Sequence, residues 1–290
     1  MQLLNHVIPQ SAKDRGILAA LVGSLLISFD PVFIRYSGIS GFDTAFLFGL
    51  FTAISMATVI QTTDSQGISK TLLQSGWPAI LSGLLILGSA TTFILSIKHT
   101  EVSNTMIILS GRPVVTALFS WLILKEKTSS TLWWATIGVI GGSTVVVYGS
   151  IGSPTFLGDG LALLTVAFLG LNGALLRRYA HISRVAIVGW AGFFMSITLF
   201  AFANPSSYTA HTWIIMGTMG LLTAPMGRVL NGISFRYIPA AEAALLSLIG
   251  TVLAPIWAYL FFKEIPTNTT ILGGTIILAT ISVYLKWPKK

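Results

Sequence analysis

Cysteine is absent from the 290-residue chain, and charged residues make up only 9% of it. The missing thiols exclude disulfides, thiolate metal ligands and cysteine nucleophiles. The shortage of charge excludes an ordinary water-soluble domain, in which about 25% of residues are charged. With a hydrophobic fraction of 53% and a mean hydropathy of +0.82, the chain has the composition of a protein embedded in a lipid bilayer.

The motifs of several enzyme classes are also missing. The chain has no HExxH zinc motif, no GxxxxGK[ST] phosphate loop and no G-x-S-x-G nucleophile turn. Its four histidines are isolated, and no pair of them has metal-ligand spacing. The sequence therefore predicts a protein that is not an enzyme, that does not hydrolyse ATP, and that holds no metal and no cofactor.

Long apolar runs fill most of the chain instead. A helix that crosses a hydrocarbon core of about 30 Å needs about 20 mostly apolar residues. Ten runs approach this length, at 17–37, 43–61, 75–97, 102–124, 132–149, 157–176, 185–203, 211–230, 240–262 and 269–286. The polar segments between them are too short to form a second domain. We therefore predict an all-α membrane protein with ten transmembrane helices.

Basic residues are distributed unevenly over the segments between these runs. If both termini lie in the cytoplasm, 13 of the 17 lysines and arginines fall on the cytoplasmic side and 3 on the other, with Arg112 inside a helix. This count assigns Arg184 to the loop before the seventh run and Arg228 to the cytoplasmic end of the eighth run. An excess of Lys and Arg in cytoplasmic loops sets the orientation of membrane proteins. The net charge of +8 is thus a topology signal, and we expect no nucleic acid partner.

The sequence also repeats itself weakly. Lys125 and Lys263 close similar apolar runs and lie 138 residues apart. Each copy holds five predicted helices, and an odd number of helices places the second copy upside down in the membrane. Inverted repeats are common in secondary transporters, whose binding sites lie near the midplane between the copies. We predict two inverted five-helix repeats, at residues 1–149 and 150–290.

Two segments carry a resemblance to a known family. RYIPAAEAALLSLIGTVLAPIWAYLFFKE (236–264) and FDPVFIRYSG (29–38) resemble the ninth-helix and first-helix segments of the EamA-type drug/metabolite transporter superfamily. The resemblance extends over nearly the whole chain. It implies a ten-helix transporter of the bacterial inner membrane that exports amino acids, other metabolites or drugs. One position departs from the family pattern, because many relatives carry a carboxylate where this chain has Gly250, the repeat equivalent of Arg112.

Arg112 is the first candidate for a binding residue. It lies near the centre of the fourth predicted helix, where an arginine costs about 2.5–3.5 kcal/mol and usually faces protein or a water-filled cavity. Pro113 cannot donate a hydrogen bond to the carbonyl of Leu109, so we expect the helix to open there. Arg112 then binds an anionic group of a substrate, or it bonds to freed carbonyls and a neighbouring helix in a structural role. A misplaced span is the third alternative.

Asp30 and Asn172 are the next candidates. The segment DPVFIR, which begins at Asp30, weakly resembles NGALLR, which begins at Asn172, so the two residues take equivalent places in the two copies. Asp30 pairs with Arg112, binds a substrate amine, carries a proton, or caps a kink beside Arg35.

Three aromatic residues lie deep in the predicted helices or on helices expected to face a cavity. They form either an apolar wall for a substrate or part of the helix packing. The substrate site predicted from the sequence consists of Arg112, Asp30, Asn172, Trp190, Trp257 and Tyr148.

These features predict a secondary transporter that exports small organic metabolites, such as amino acids or related compounds, by alternating access. We expect its cavity between predicted helices 1, 3, 4, 6, 8 and 9, with the two termini in the cytoplasm and the protein in the bacterial inner membrane. Proton coupling and a monomeric or homodimeric state are further expectations.

Three alternatives stay open. A nucleotide-sugar or organic-phosphate carrier should cluster several basic residues within the membrane, and the sequence indicates one, Arg112. A non-transporting membrane scaffold or sensor would use Arg112 only for folding. A membrane enzyme that acts on lipid would need a catalytic pair at the interface, and the sequence offers none.

Overall fold

The computed structural model describes residues 11–64, 67–125, 130–149 and 155–286, and all regular structure in these residues is helical. The α-helical segments are α1 (Ala12–Ile27), α2 (Asp30–Tyr36), α3 (Gly41–Thr63), α4 (Ile68–Gln74), α5 (Gly76–His99), α6 (Val102–Leu109), α7 (Arg112–Leu124), α8 (Ser130–Gly149), α9 (Phe156–Arg178), α10 (Arg184–Phe200), α11 (Ala210–Thr218), α12 (Ala224–Tyr237), α13 (Ala240–Leu246), α14 (Leu248–Phe262) and α15 (Asn268–Lys286). A π-helical turn, Met219–Thr223, joins α11 to α12. The predicted all-α class is confirmed for the described part of the chain.

Six helical stretches are long and apolar enough to cross a membrane. They are Ala12–Tyr36, Gly41–Thr63, Gly76–His99, Val102–Leu124, Phe156–Arg178 and Ala210–Tyr237. Four shorter apolar helices are Ile137–Gly149, Arg184–Phe200, Leu248–Phe262 and Asn268–Thr280. Each of the ten predicted runs overlaps one of these helical stretches. Six of the stretches are long enough to span a membrane, so the total of ten crossings stays a prediction. The predicted boundary between the two halves adjoins residues 150–154, which lie outside the described residues.

Two hydrogen bonds define the two ends of the helix bundle. The N–H of Val102, at the start of α6, donates to the carboxylate of Glu264, just after α14, at 3.0 Å. Arg178, at the end of α9, donates to the carbonyl of Ile123, near the end of α7, at 3.2 Å. We name the first the Glu264 end and the second the Tyr179 end, after the residue that directly follows α9. The α6–α7 stretch therefore runs from the Glu264 end to the Tyr179 end, whereas α14 runs in the opposite direction.

The helices α7 and α14 stop at the same kind of residue. Lys125 caps α7 with a φ of 53°, and Lys263 caps α14 with a φ of 58°. Within the described residues, these are the only two non-glycine positions with positive φ. A left-handed residue ends a helix by turning the chain, at a cost of about 1–2 kcal/mol for residues other than glycine. The similarity between the two segments therefore extends from sequence to backbone conformation.

Three helical stretches are interrupted inside the bundle. The breaks lie at residues 28–29 between α1 and α2, at residues 110–111 between α6 and α7, and at Ser247 between α13 and α14. Pro31 and Pro113 occupy the first turns of α2 and α7, where a missing N–H has no helical partner to lose. The predicted opening of the helix before Pro113 is confirmed.

The stretch that contains Arg228 is longer than its sequence indicates. The predicted run 211–230 places Arg228 near its end, with the cytoplasmic basic residues, but α11, the π-turn and α12 continue to Tyr237. Arg228 therefore lies inside a helix, where it forms an ion pair with Asp30, 198 residues away in sequence. Moving Arg228 into a helix leaves twelve predicted cytoplasmic basic residues against three, so the direction of the charge bias is unchanged.

Glycines allow the tightest contacts between helices. A Cβ atom on Gly23 of α1 would lie 2.7 Å from the carbonyl oxygen of Gly227 on α12. A Cβ atom on Gly142 of α8 would lie 2.8 Å from the carbonyl oxygen of Gly273 on α15. Small residues let transmembrane helices approach backbone to backbone. These contacts fix α1 against α12 and α8 against α15.

We expect the substitution Gly142→Ala to lower the free energy of unfolding by about 1–3 kcal/mol, because the added methyl group overpacks the contact with α15. Denaturant titration of the purified protein in detergent measures the change. Gly141→Ala is the matched control, since a Cβ atom there meets nothing within 4 Å. Equal losses of stability in the two variants would contradict this account of the packing.

Candidate functional site

A cavity with a volume of about 150 Å³ lies in the middle of the bundle. A cavity of about this size holds a small organic molecule such as benzene. Predicted helices 1, 3, 4, 6, 8 and 9 all contribute to its wall, as expected, and the start of α10 joins them. The wall extends from the break between α1 and α2 to Arg184 at the Tyr179 end.

Asp30 forms an ion pair with Arg228 rather than with Arg112. The Oδ2 atom of Asp30 accepts a hydrogen bond from Nη1 of Arg228 at 3.1 Å, and the Asp30 side chain is fully buried. The same Nη1 donates to the carbonyl of Ala224 at 3.3 Å, and the Arg228 guanidinium lies 4.6 Å from the centre of the Phe48 ring. In the described part of the chain, Oδ1 of Asp30 has no hydrogen-bond partner. One carboxylate oxygen is therefore left for another donor.

Arg112 is the first residue of α7 and lies on the cavity wall. Among the described residues it has no hydrogen-bond or ion-pair partner, and its Nε atom is buried. The positive end of the α7 helix dipole adds to the field of the guanidinium, and both favour an anion. The contacts offer no support for the structural alternative, in which Arg112 bonds to carbonyls freed before Pro113.

Arg184, which the sequence analysis counted as a loop residue, also lies on the cavity wall and is 3% exposed. Its Nη atoms donate to the carbonyls of Leu176 at 2.9 Å, Ala180 at 3.3 Å and Tyr179 at 3.5 Å, around the end of α9. Its Nε atom is buried without a partner among the described residues. With Arg112 and Arg228, this makes three arginines on the wall, where the sequence indicated one basic residue within the membrane.

Asn172 is buried on the cavity wall, and its Oδ1 atom accepts a hydrogen bond from Ser82 at 2.5 Å. Its Nδ2 group makes no hydrogen bond to any described residue and remains as a donor. Asn231, which the sequence analysis missed, lies on the same wall and contacts the hydroxyls of Ser24 at 3.3 Å and Ser247 at 3.0 Å. Asn231 thus connects α12 to α1 and to the break before α14.

The three predicted aromatic residues have different positions. Trp257 donates from Nε1 to the hydroxyl of Ser28 at 3.0 Å and stacks on Phe29 at 4.7 Å, so it supports the cavity wall at the break in the first stretch. Trp190 is not on the wall, and Tyr148 is 72% exposed on the outside of α8. Depth along a helix does not reveal which face turns inward, so we leave Trp190 and Tyr148 out of the candidate site.

A polar network lies at the Glu264 end of the bundle. Arg35 pairs with Glu264 at 3.1 Å and donates to the carbonyl of Thr100 at 2.8 Å. Burial, together with repulsion from the Glu264 and Asp159 carboxylates, raises the pKa of Glu101 in the same network. Arg35 is therefore engaged at this end and does not pair with Asp30. The cavity lies between this network and Arg184.

The model of the EamA-like transporter family matches residues 14–148 and again residues 156–285. The chain belongs to this family. Family membership makes it a multi-pass membrane protein of a bacterial transporter type, in agreement with the apolar helices described above. The two matches fall on the two predicted copies.

Individual relatives span most of the chain at low identity. The pseudopaline exporter CntI of Pseudomonas aeruginosa is 24% identical over 272 residues, which cover 91% of this chain and 93% of the exporter. The uncharacterized transporter YdfC of Bacillus subtilis is 22% identical over 201 residues, covering 65% of this chain and 64% of that one. A solved crystal structure shares the fold with a TM-score of 0.68 at 16% identity, over 93% of this chain and 96% of its own.

We expect Arg228→Gln to lower the free energy of unfolding by about 3–5 kcal/mol, because it leaves the Asp30 carboxylate buried without its counter-ion. Unfolding in detergent, followed by tryptophan fluorescence, measures the loss. The double variant Asp30→Asn with Arg228→Gln should recover most of it, since no buried charge is then left alone.

Arg112→Gln is the comparison for this experiment. It removes an arginine from the same cavity without breaking any contact to the described residues, and it removes a charge that is costly at this depth, so the free energy of unfolding should not fall below that of the original protein. An Arg228→Gln variant as stable as Arg112→Gln would show that the Asp30–Arg228 pair does not hold the structure.

Proposed function

We propose that the protein is a secondary transporter that exports small organic metabolites, amino acids or related compounds, across the bacterial inner membrane by alternating access. The observation that carries the proposal is the Arg112 guanidinium, which lies on a central cavity without a partner among the described residues. Membership of a transporter family supports transport, and the likeness to a pseudopaline exporter supports the export of a small metabolite.

An acidic group of a solute is the natural partner for Arg112. An arginine at this depth costs about 2.5–3.5 kcal/mol, and a hydrogen bond to a charged group contributes about 1.5–3 kcal/mol. Solute binding therefore offsets much of the cost of placing Arg112 there. Asp30 accepts a hydrogen bond from a solute amine or hydroxyl through its free oxygen, and Asn172 donates one. These three residues form the proposed binding site, with Trp257 behind its wall.

Two inverted five-helix repeats, at residues 1–149 and 150–290, are the proposed architecture. The two separate matches to the family model support a twofold organisation of the chain. So do the left-handed lysines that close α7 and α14 at opposite ends of the bundle, 138 residues apart. The packing is compatible with a twofold axis. The equivalent helices α3 and α10 pack on each other, and so do the equivalent helices α8 and α15. The contact of α5 with α9 in one direction has its counterpart in the contact of α12 with α1.

The proposed orientation places the Tyr179 end and both termini in the cytoplasm. The excess of predicted cytoplasmic lysines and arginines supports this orientation. The cavity extends to Arg184 at the Tyr179 end, so in this orientation it reaches toward the cytoplasm, from which an exporter collects its solute. Asp30 is the candidate for proton coupling, because it is the one carboxylate on the described part of the wall. We expect a monomer or homodimer without catalytic activity, metal or cofactor.

An organic-phosphate or nucleotide-sugar carrier is the second candidate. The three arginines on the cavity wall favour this carrier more strongly than the single arginine that the sequence indicated, because phosphate groups are commonly bound by clustered basic side chains. A non-transporting scaffold or sensor is the third candidate, and it predicts no solute flux.

We expect Arg112→Gln to reduce the initial rate of solute uptake into proteoliposomes at least tenfold, because the solute loses its charged partner. Labelled amino acids and organic anions, tested as a panel, provide the transported solutes. The variant must reconstitute and unfold like the original protein for the comparison to hold.

Arg178→Gln is the matched control for charge. Arg178 is exposed and bonds to α7 outside the cavity, so its loss should leave the uptake rate unchanged. Full activity of Arg112→Gln toward every transported solute would remove Arg112 from the binding site. The absence of flux for the whole panel, under any gradient, would contradict transport itself.

A further inference from the structure

We infer that the solute carries two separate anionic groups, one bound by Arg112 and the other by Arg184. This inference rests on the proposed transport function and narrows its substrate class to organic diacids. It replaces an ordinary amino acid, whose single carboxylate would engage only one of the two arginines, as the best match to the cavity.

The charges on the cavity wall do not balance. Arg228 and Asp30 neutralise each other, which leaves Arg112 and Arg184 as cations without a carboxylate among the described residues. The carbonyls around the end of α9 satisfy hydrogen bonds of Arg184, and the negative end of the α9 helix dipole offsets part of its charge, but they supply no carboxylate. Two guanidinium groups without a carboxylate beside one apolar cavity favour an anionic ligand.

The guanidinium of Arg184 is held in place while its Nε–H stays without an acceptor. Its Nη atoms donate hydrogen bonds to three carbonyls, and these bonds fix its orientation on the cavity wall. The buried Nε–H is left without an acceptor in the described structure, as is the Nε–H of Arg112. A buried donor without an acceptor costs free energy that a solute carboxylate would recover. A fixed donor also binds without first losing side-chain entropy.

The remaining free groups agree with a diacid. The Nδ2 group of Asn172 is a further donor on the wall, and donors suit carboxylate oxygens. The free Oδ1 atom of Asp30 is an acceptor and suits an amine or hydroxyl on the same solute. The complementary ligand therefore has two carboxylates and one hydrogen-bond donor, as in an acidic amino acid or a hydroxylated diacid.

Four probes of defined charge test the inference on the purified protein in lipid nanodiscs. They are glutamate, succinate, glycerol 3-phosphate and leucine, with dissociation constants measured by calorimetry. Glutamate and succinate should bind at least tenfold more tightly than leucine, because each engages both arginines. Glycerol 3-phosphate, whose charges sit on one group, should bind less tightly than glutamate. Leucine binding as tightly as the diacids, no binding by any probe, or tightest binding by glycerol 3-phosphate overturns the inference.

Two variants separate the second anion site from a structural role of Arg184. Arg184→Gln should weaken glutamate binding about tenfold or more and leave leucine binding unchanged, because only the diacid reaches this arginine. Arg184→Lys, which keeps the charge, should retain part of the glutamate affinity if the Gln variant folds poorly. Arg178→Gln, an exposed neighbour, should change neither constant. Equal losses for glutamate and leucine in both Arg184 variants would show a structural role and overturn the inference.

Flux measurements with the same four probes distinguish a failure of the diacid inference from a failure of the proposed transport function. Diacid binding that depends on Arg184 but produces no flux in proteoliposomes supports the site and contradicts the proposed transport. Flux of leucine together with failure of diacid binding supports transport and overturns the diacid inference.

Discussion

The buried ion pair between Asp30 and Arg228 is the interaction on which the rest of the structure depends. A bilayer cannot solvate either charge alone, so α2 and α12 must meet where the pair lies. Once the pair is formed, the stretch from Ala210 to Tyr237 can carry an arginine in its interior and still be long enough to cross a membrane. The pair also determines how many charged groups of the cavity wall can bind a solute, because it neutralises one of the three arginines and leaves two.

The breaks in the helices bring charge and backbone polarity to the wall of one cavity. α2 begins at Asp30, α7 at Arg112 and α14 at Leu248, and all three residues line the cavity. Each break exposes backbone groups that an unbroken helix would satisfy internally, and such groups are tolerated in a membrane where they face a cavity. The prolines at the starts of α2 and α7 localise two of the breaks, since a proline at the first turn removes an N–H that no carbonyl would have accepted.

Hydropathy was sufficient to locate the helices, because the bilayer imposes one length and one polarity on every segment that crosses it. The breaks before Pro31 and Pro113 were equally local properties of the sequence. The partner of Asp30 was not, because Arg228 lies 198 residues away, near the end of its predicted run, and no local pattern links the two residues. The position of Tyr148 was missed for another reason: its place near the end of the fifth predicted run was evident, but the face it occupies depends on how α8 packs against α15.

The contact between Gly23 and Gly227 has a mechanical consequence. The two backbones are in direct contact there, so we expect α1 and α12 to move together. Asp30 follows directly after the break that ends α1, and Arg228 is the residue next to Gly227. The two charges are therefore attached to the same body, and their separation can stay constant while other helices rearrange around them. A cavity that changes its accessible side would then keep Asp30 and Arg228 in contact, while the solute neutralises the charges of Arg112 and Arg184.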